Sequence, residues 1–395
     1  MQEKKKKVAF DLWEVIIIAF VSALLMSGAT GYAVFRNSGG SNTLSNNPHL
    51  NEFISSYKTI LNEFYADIDE EELIRAALSG MMNYLGDPYS SLLDDAGREQ
   101  LLESLRGTFN GVGISLTDDP LVIDRVFRES PAQKAGILVG DIIKKIDGVS
   151  VEGKKAFEIA AMIRESSNKS VSITISRNGI EHTISITKGT ILIPLNDEII
   201  ERNNKRVGYI QFSLFTDRIY DQFKMSLEGL EKEGIDSLII DLRNNTGGYL
   251  SGVPPIASMF LKRNDIIYSL RNRLEITHER VKTPSGNRSY PIIVLINGNT
   301  ASAGEVLAAA LKYSYGAILV GETSHGKGKV QNTSDLPGGS MLKFTTAEWL
   351  TPKGYGIDGV GLKPDIEVQN DPEFGFFPPI ENDLQLQRAL NRITR

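Results

Sequence analysis

Residues 291–313 read PIIVLINGNTASAGEVLAAALKY: an apolar run, a polar turn, then an Ala-rich run. The apolar run, bounded by Pro291 and Asn297-Gly298, reads as a buried strand, and Ser302 to Tyr313 reads as the helix that follows. A Ser at such a junction has its hydroxyl at the positive end of a helix, where an oxyanion would be stabilised. The backbone N–H of Ala303 faces the same space. Ser302 and Glu305 also match the S-x-x-E capping box, a pairing that needs no catalysis.

Two neighbouring segments repeat this strand-to-loop pattern. Ser237 to Leu242 is a second strand, and it runs into Arg243-Asn244-Asn245-Thr246-Gly247-Gly248. Paired glycines allow close backbone approach and a free N–H aimed at a ligand, although an ordinary turn has the same composition. Ala317 to Gly321 is a third strand, followed by Thr323-Ser324-His325-Gly326-Lys327-Gly328-Lys329-Val330-Gln331. This loop is not a phosphate-binding loop, because Gly328 stands where G-x-x-x-x-G-K-[ST] requires Ser or Thr. Lys327 lies between two Gly, so no bulky neighbour blocks it. His325 and Lys327 both stand as candidate bases, and Lys329 reads equally well as a surface charge. Val207 to Phe215 adds a strand and Asp217 to Glu233 a helix closed by Gly234. Residues 190–370 therefore read as an α/β core with a largely parallel sheet, and loops at strand carboxyl ends form its cleft.

Upstream, residues 106–189 change to short strands around one helix, Lys154 to Glu165. Its Ala156, Ile159, Ala160 and Ile163 have helical spacing. Asn178-Gly179 marks a hairpin. Residues 49–105 read as helical, with Phe53, Ile54, Tyr57, Ile60, Leu61 and Phe64 forming a stripe. Residues 371–395 read as a short tail with a helical end. Residues 37–48, NSGGSNTLSNNP after Arg36, are a flexible polar linker. Val15 to Phe35 carries no formal charge and would span roughly 31 Å as a helix, enough to cross a bilayer. Lys4 to Lys7 precede it, so residues 1–36 are expected to be a basic cytoplasmic tail and signal anchor, with the body extracytoplasmic. Small residues at Gly31-Tyr32-Ala33 leave a cleaved signal peptide as the alternative.

The 395 residues include no Cys, which excludes a disulfide framework, a thiolate metal site and a cysteine nucleophile. Of the four His, no two have helical metal-ligand spacing, so neither a metal nor a cofactor is expected. The net charge is −6, and the basic head makes the body more acidic still. An acidic body argues against nucleic acid as a partner.

Taken together, these segments resemble the carboxy-terminal processing peptidases, or tail-specific proteases, which are Ser/Lys serine endopeptidases. The similarity runs from about Asn47 to Val368. It includes Asp87-Pro88-Tyr89-Ser90 and the PDZ-like pattern Ser130-Pro131-Ala132, Ala135-Gly136, Gly140-Asp141 and Asp147-Gly148. Leu242 to Asn245 with Gly247-Gly248, Ser302-Ala303, Gly326-Lys327-Gly328 with Gln331, Thr351-Pro352 with Gly354, and Pro364-Asp365 complete it. The resemblance implies a PDZ-like α/β module (106–189) before an α/β, crotonase/ClpP-like serine protease core (190–370). It implies Ser302 as nucleophile, Lys327 as general base and Gln331 as the residue that orients it. The family's Ser–Lys spacing of 25 and Lys–Gln spacing of four are both kept. Ala303 and either Gly247 or Gly248 would form the oxyanion hole, and His325 becomes a bystander. Gly304 and Thr246 depart from the residues common in the family, Ser and Pro.

Lys327 must be neutral to accept a proton. A shift of about three units from a reference near 10.4 would cost roughly 4 kcal/mol, which burial supplies. In the PDZ-like module, Gly111, Val112, Gly113 and Ile114 would receive a substrate's terminal carboxylate, with the tail added as a strand. The expected partners are protein or peptide substrates with apolar C-termini, the cytoplasmic membrane and a second copy of the chain. The resemblance also implies that tail binding switches a resting arrangement to an active one. A membrane-tethered PDZ scaffold with an inactive core is the competing class of function, and the intact Ser302, Lys327 and Gln331 count against it.

Overall fold

The computed structural model describes residues 47–117, 121–127, 130–166, 168–192, 195–284, 286, 288–369 and 380–395. The expected transmembrane helix, Val15 to Phe35, lies outside them. Among the described residues no helix is long and apolar enough to cross a membrane. The chain divides into two compact units at Met81.

The first unit is helical. α1 (Pro48–Glu63) starts at Asn47, whose side chain accepts from the N–H groups of His49 and Leu50, with Pro48 pre-set for the first turn. α2 (Glu70–Tyr84) opens on three acidic residues, which suit the positive end of its dipole. Among the described residues neither helix has a buried side chain. The stripe read from the sequence is real but uncovered, with Phe53, Ile54, Ile60 and Phe64 all exposed.

The second unit begins with a departure from the expected boundaries. β1 (Ser91–Leu93) precedes α3 (Asp95–Arg106) and pairs with a strand of the larger α/β core, so the expected helical region of 49–105 does not end outside that core. The expected small α/β module follows. β2 (Thr108–Gly111), β3 (Ile114–Leu116) and β4 (Ile123–Val126) lead to α4 (Pro131–Lys134), β5 (Ile142–Ile146) and β6 (Val149–Ser150). α5 (Ala156–Glu165), β7 (Ser170–Arg177), β8 (Ile180–Thr187) and β9 (Gly189–Leu192) complete it. β6-β5-β7-β8 form one antiparallel sheet, β3 pairs β4, and β2 pairs β9 to close the base. Asn178 and Gly179 both have positive φ, as the two-residue hairpin requires. Ile123, Ile146, Ile159, Val171, Ile173 and Ile175 fill its separate core.

The α/β core contains β10 (Asn196–Arg202), β11 (Lys205–Gln211), α6 (Ile219–Lys232), β12 (Ser237–Asp241) and α7 (Val253–Ala257). Next come β13 (Ile266–Arg271), β14 (Ile276–Arg280), β15 (Ile292–Ile296), α8 (Ala303–Ala310) and β16 (Ile318–Gly321). β17 (Lys329–Asp335), β18 (Met341–Leu350), β19 (Ile366–Glu367) and α9 (Leu384–Ile393) end the chain. The main sheet runs β10-β11-β12-β15-β16-β19, with every pair parallel except β10–β11. This is the expected parallel sheet. A second, antiparallel sheet, β1-β18-β13-β14 with β17 also on β18, was not expected. Its strands come from distant parts of the chain.

Helices α6, α7 and α8 cover one face of the main sheet around Phe223, Leu227, Ile256 and Val306. The other face is closed by α9 through Leu386, Ala389 and Leu390. The expected tail is therefore a layer of the core. Asp383, at the start of α9, forms two 2.8 Å hydrogen bonds with buried Arg243, which also pairs with Asp241. The charges are compensated, as burial demands.

Candidate active site

The carboxyl ends of β12, β15 and β16 carry the three loops singled out in the sequence. Ser302 sits at the N-terminus of α8 with φ 54 and ψ −119. A non-glycine residue in this region costs about 1–3 kcal/mol and persists only where its surroundings fix it. They do. The N–H of Ala301 donates to the Asn245 carbonyl at 2.8 Å, and Thr300 Oγ1 donates to the Leu242 carbonyl at 2.8 Å. Asn244 Oδ1 accepts from Asn297 and Asn299, both at 3.0 Å. The β12 and β15 loops are thus stitched together directly beneath the Ser.

Gly247 explains why that stitching needs glycine. A Cβ there would lie 2.8 Å from Ser302 Cβ and 3.2 Å from the Ala303 nitrogen, at a φ of 100. Gly247 donates its own N–H to Asn245 Oδ1 at 3.0 Å. Gly248, bridged to Phe215, leaves its N–H without a partner among the described residues, and so does Ala303. Of the two glycines offered by the sequence, Gly248 is the one with a donor to spare.

Glu305 is the residue whose reach the sequence understated. It is fully buried, and its carboxylate accepts four hydrogen bonds. Oε2 takes the N–H of Ser302 at 2.8 Å and of Lys327 at 3.0 Å. Oε1 takes Ser324 Oγ at 2.5 Å and the Gly326 N–H at 2.7 Å. Burial pushes its pKa up, and these donors offset only part of that rise. The S-x-x-E pattern exposed only the first bond. The same carboxylate also fixes the loop that bears Lys327.

Lys327 is half-buried. Burial lowers its amine below the ordinary lysine value, Lys343 adds to that, and Glu305 opposes it. Its carbonyl accepts from Trp349 Nε1 at 2.9 Å. Its Nζ stands 5.2 Å from the centre of the Tyr89 ring. Among the described residues no hydrogen bond joins Lys327 Nζ to Ser302 or to Gln331. Gln331 lies on β17 beside a β-bulge, and its amide donates to Thr345 Oγ1 at 3.2 Å instead. His325 donates its backbone N–H to Thr300 O at 2.9 Å and makes no hydrogen bond to Ser302. Tyr89, like Glu305, had no catalytic part in the sequence reading. It was visible only as one residue of Asp87-Pro88-Tyr89-Ser90.

Gly111, Val112, Gly113 and Ile114 line a largely apolar groove of about 490 Å³ between β3 and α5, with Ala156, Ala160 and Ile163 opposite. They are not one strand: Gly113, with φ 82, breaks β2 from β3. Among the described residues β3 pairs with β4 alone, so its other edge is open along the groove.

Comparison with known proteins accords with this geometry. Residues 206–368 match peptidase family S41, and residues 122–177 match a PDZ domain. Residues 28–97 match the activating protease CtpB N-terminal domain. The carboxy-terminal processing protease CtpB of Bacillus subtilis (strain 168) is 34% identical over 348 residues, 86% of this chain and 71% of that protein. The chain belongs to peptidase family S41. It is a carboxy-terminal processing serine peptidase with a PDZ domain. CtpA of the same organism is 30% identical over 376 residues, covering 94% of this S41 peptidase and 80% of its own length. Among solved structures, the photosystem II D1 C-terminal processing protease aligns with a TM-score of 0.53 and 25% identity, covering 86% of this chain and 90% of that one.

Proposed function

We propose that this peptidase cleaves peptide bonds through a Ser302–Lys327 dyad and an acyl-enzyme. The observation that carries the reading is the cradle around Ser302. A strained Ser at a helix N-terminus lies against Gly247, and the N–H groups of Ala303, which follows Ser302, and of Gly248, which follows Gly247, have no partner among the described residues. Donors fixed in advance around a developing oxyanion usually supply the largest part of such catalysis. Neutral Lys327 takes the Ser302 proton as Oγ attacks the carbonyl. The resulting ammonium gives that proton to the leaving amine, and water then releases the acyl group. Burial of Lys327 favours the neutral form the first step needs. For that step the Lys327 side chain swings from Tyr89 to Ser302, and Gln331 exchanges Thr345 for the amine.

Substrates are selected by their C-terminal tails. The open edge of β3 accepts an extended peptide, the Gly111–Ile114 turn receives its carboxylate, and the apolar wall of α5 favours apolar side chains. Val15 to Phe35 anchors the enzyme in the cytoplasmic membrane with its body outside. The uncovered apolar residues of α1 favour a homodimer.

The test uses residues 37–395 and an unfolded protein with an apolar tail. Cleavage should occur with the natural chain and vanish with Ser302→Ala or Lys327→Ala, both of which should remain folded. Full activity in Lys327→Ala would remove the dyad. Amidating the substrate's C-terminus should slow cleavage, and an unchanged rate would remove tail recognition.

A further inference from the structure

Lys327 Nζ makes no hydrogen bond and no ion pair among the described residues, yet the residue is half-buried. What it faces is the ring of Tyr89, 5.2 Å away at the centroid. That distance is within the range at which a cation is held by an aromatic face. We propose that Tyr89 is a positioning residue for the general base: its ring holds the protonated Lys327 amine off Ser302, and the base acts when it leaves that face. The proposal rests on Lys327 being the base and adds what governs its release.

Tyr89 is fixed well enough to do this. Its N–H donates to Asp87 Oδ1 at 3.3 Å, and Ser90 Oγ donates to Asp87 Oδ2. Ser90 Oγ also accepts the N–H of Thr345, on β18, at 3.1 Å. The next residues, Ser91 to Leu93, are β1, paired in register with Lys343, Leu342 and Met341 of the same strand. Thr345 is in turn the partner of the Gln331 amide. One turn thus holds the base through a ring and is bonded to the strand that holds its orienting residue. Both ties must loosen before Lys327 and Gln331 reach each other.

The charges facing Lys327 make the ring matter. Lys343 on β18 repels the ammonium, and the Glu305 carboxylate at the start of α8 attracts it. Asp87, His325 and the Lys329–Asp358 pair (3.4 Å) line the adjoining cleft. Burial and Lys343 favour the neutral amine, whereas the negative face of an aromatic ring favours only the cation. On the ring, the aromatic face opposes that lowering and favours the charged, inactive amine. Off it, the amine loses that support and is more readily neutral.

The experiment measures how fast a fluorophosphonate modifies Ser302, as a function of pH, in the full chain. This reads activation of the Ser without requiring tail binding. The rate rises with pH as Lys327 loses its proton. Tyr89→Leu removes the face, so the rise should move to lower pH by about half to one and a half units, and the rate below the midpoint should increase several-fold. Tyr89→Phe keeps the face and should leave the midpoint in place. Tyr89→Trp offers a stronger face and should move it upward, which keeps the test usable if Tyr89→Leu does not fold. A uniform loss of rate in Tyr89→Leu with no shift would mean the ring only fills space and would overturn the proposal. A Phe variant that behaves like Leu would overturn it too. Lys327→Ala separates the two layers. If it still reacts at the natural rate, the base assignment falls and this proposal with it. If it is inert while Tyr89→Leu leaves the midpoint unmoved, only this proposal falls.

Discussion

The two halves of the active site are built differently. On the nucleophile side the loops are tied down by hydrogen bonds, and the Ala303 and Gly248 N–H groups are left free for a ligand. Asn244, Asn245 and Thr300 tie the β12 and β15 loops into one body, Glu305 holds the Ser302 N–H, and the strained Ser is the product. On the base side the backbone is equally firm, since Glu305, Asp358 and Trp349 hold residues 326–328. The working atoms are not. Lys327 Nζ has a ring for company, and the Gln331 amide is bonded to Thr345. The difference assigns functions. An oxyanion cradle must be rigid, because its value lies in needing no reorganisation. A base that must change partners needs a side chain with loose ends on a fixed stem. The predictions that follow strain the rigid half first and the loose half last.

Gly247→Ala should have the largest effect. The added Cβ would meet Ser302 Cβ at 2.8 Å, at a φ that L-residues rarely adopt. Either the Ser or the glycine loop must move, and losing one oxyanion donor alone costs about 10²- to 10³-fold. We expect kcat to fall by at least that factor while the PDZ module still binds a tail peptide. A kcat within about threefold of the natural value, roughly 0.6 kcal/mol, would show that the cradle is elastic.

Glu305→Gln comes next. A carboxylate accepts at two oxygens, whereas an amide accepts at one and presents two donors. Two of the four donors now satisfied would face an N–H₂ group. An orphaned buried donor costs about 1–3 kcal/mol, so both thermal stability and activity should drop, the latter about tenfold to a hundredfold. Since Glu305 bridges the two halves, Ser302 reactivity and Lys327 placement should fail together. A loss of stability with kcat intact would mean that the bridge serves only the fold.

Gln331→Ala probes the loose half. Its amide is bonded to Thr345 in the present arrangement and has no bond to Lys327. Removing it forfeits one hydrogen bond, worth about 0.5–1.5 kcal/mol, and kcat should fall by roughly tenfold or less. KM for a tailed substrate should stay constant. A large rise in KM instead would place Gln331 in substrate binding.

The same contrast explains what the sequence could and could not reveal. The junctions that carry Ser302 and Gly247-Gly248 were legible because an apolar run, a polar turn and a helical run follow one another locally. The helix beside the groove was legible through the spacing of Ala156, Ile159, Ala160 and Ile163. The second sheet was not, because β1 and β18 meet through pairing across most of the chain, and no local pattern announces a partner. The layer formed by α9 escaped for a similar reason: Leu386, Ala389 and Leu390 have helical spacing, but nothing in them says which face they cover. Tyr89 carries no local signature of its place, since its relation to Lys327 exists only in space. Glu305 was read as a cap, which is one quarter of what its carboxylate does.

His325→Ala should have the smallest effect, and it decides which side chain the loose half serves. His325 lies two residues from Lys327, and sequence alone left both as bases. In the structure its backbone N–H is bound to Thr300 O, and its side chain lines the cleft beside Gly326 and Asp358 without a hydrogen bond to Ser302. Removing a side chain with no such partner typically changes energies by about 0.5 kcal/mol, or roughly twofold in rate. The pH profile is the sharper readout. A histidine base would make the acid limb depend on His325 and vanish when it is removed. A lysine base sets it at the pKa of Lys327, which burial and Lys343 depress below the usual lysine range. Activity must therefore fall as pH drops through that depressed value, because protonation removes the base. The limb should be unmoved in His325→Ala. If the substitution abolishes cleavage or erases the limb, the base is His325, and the contrast between a rigid cradle and a mobile lysine is wrong.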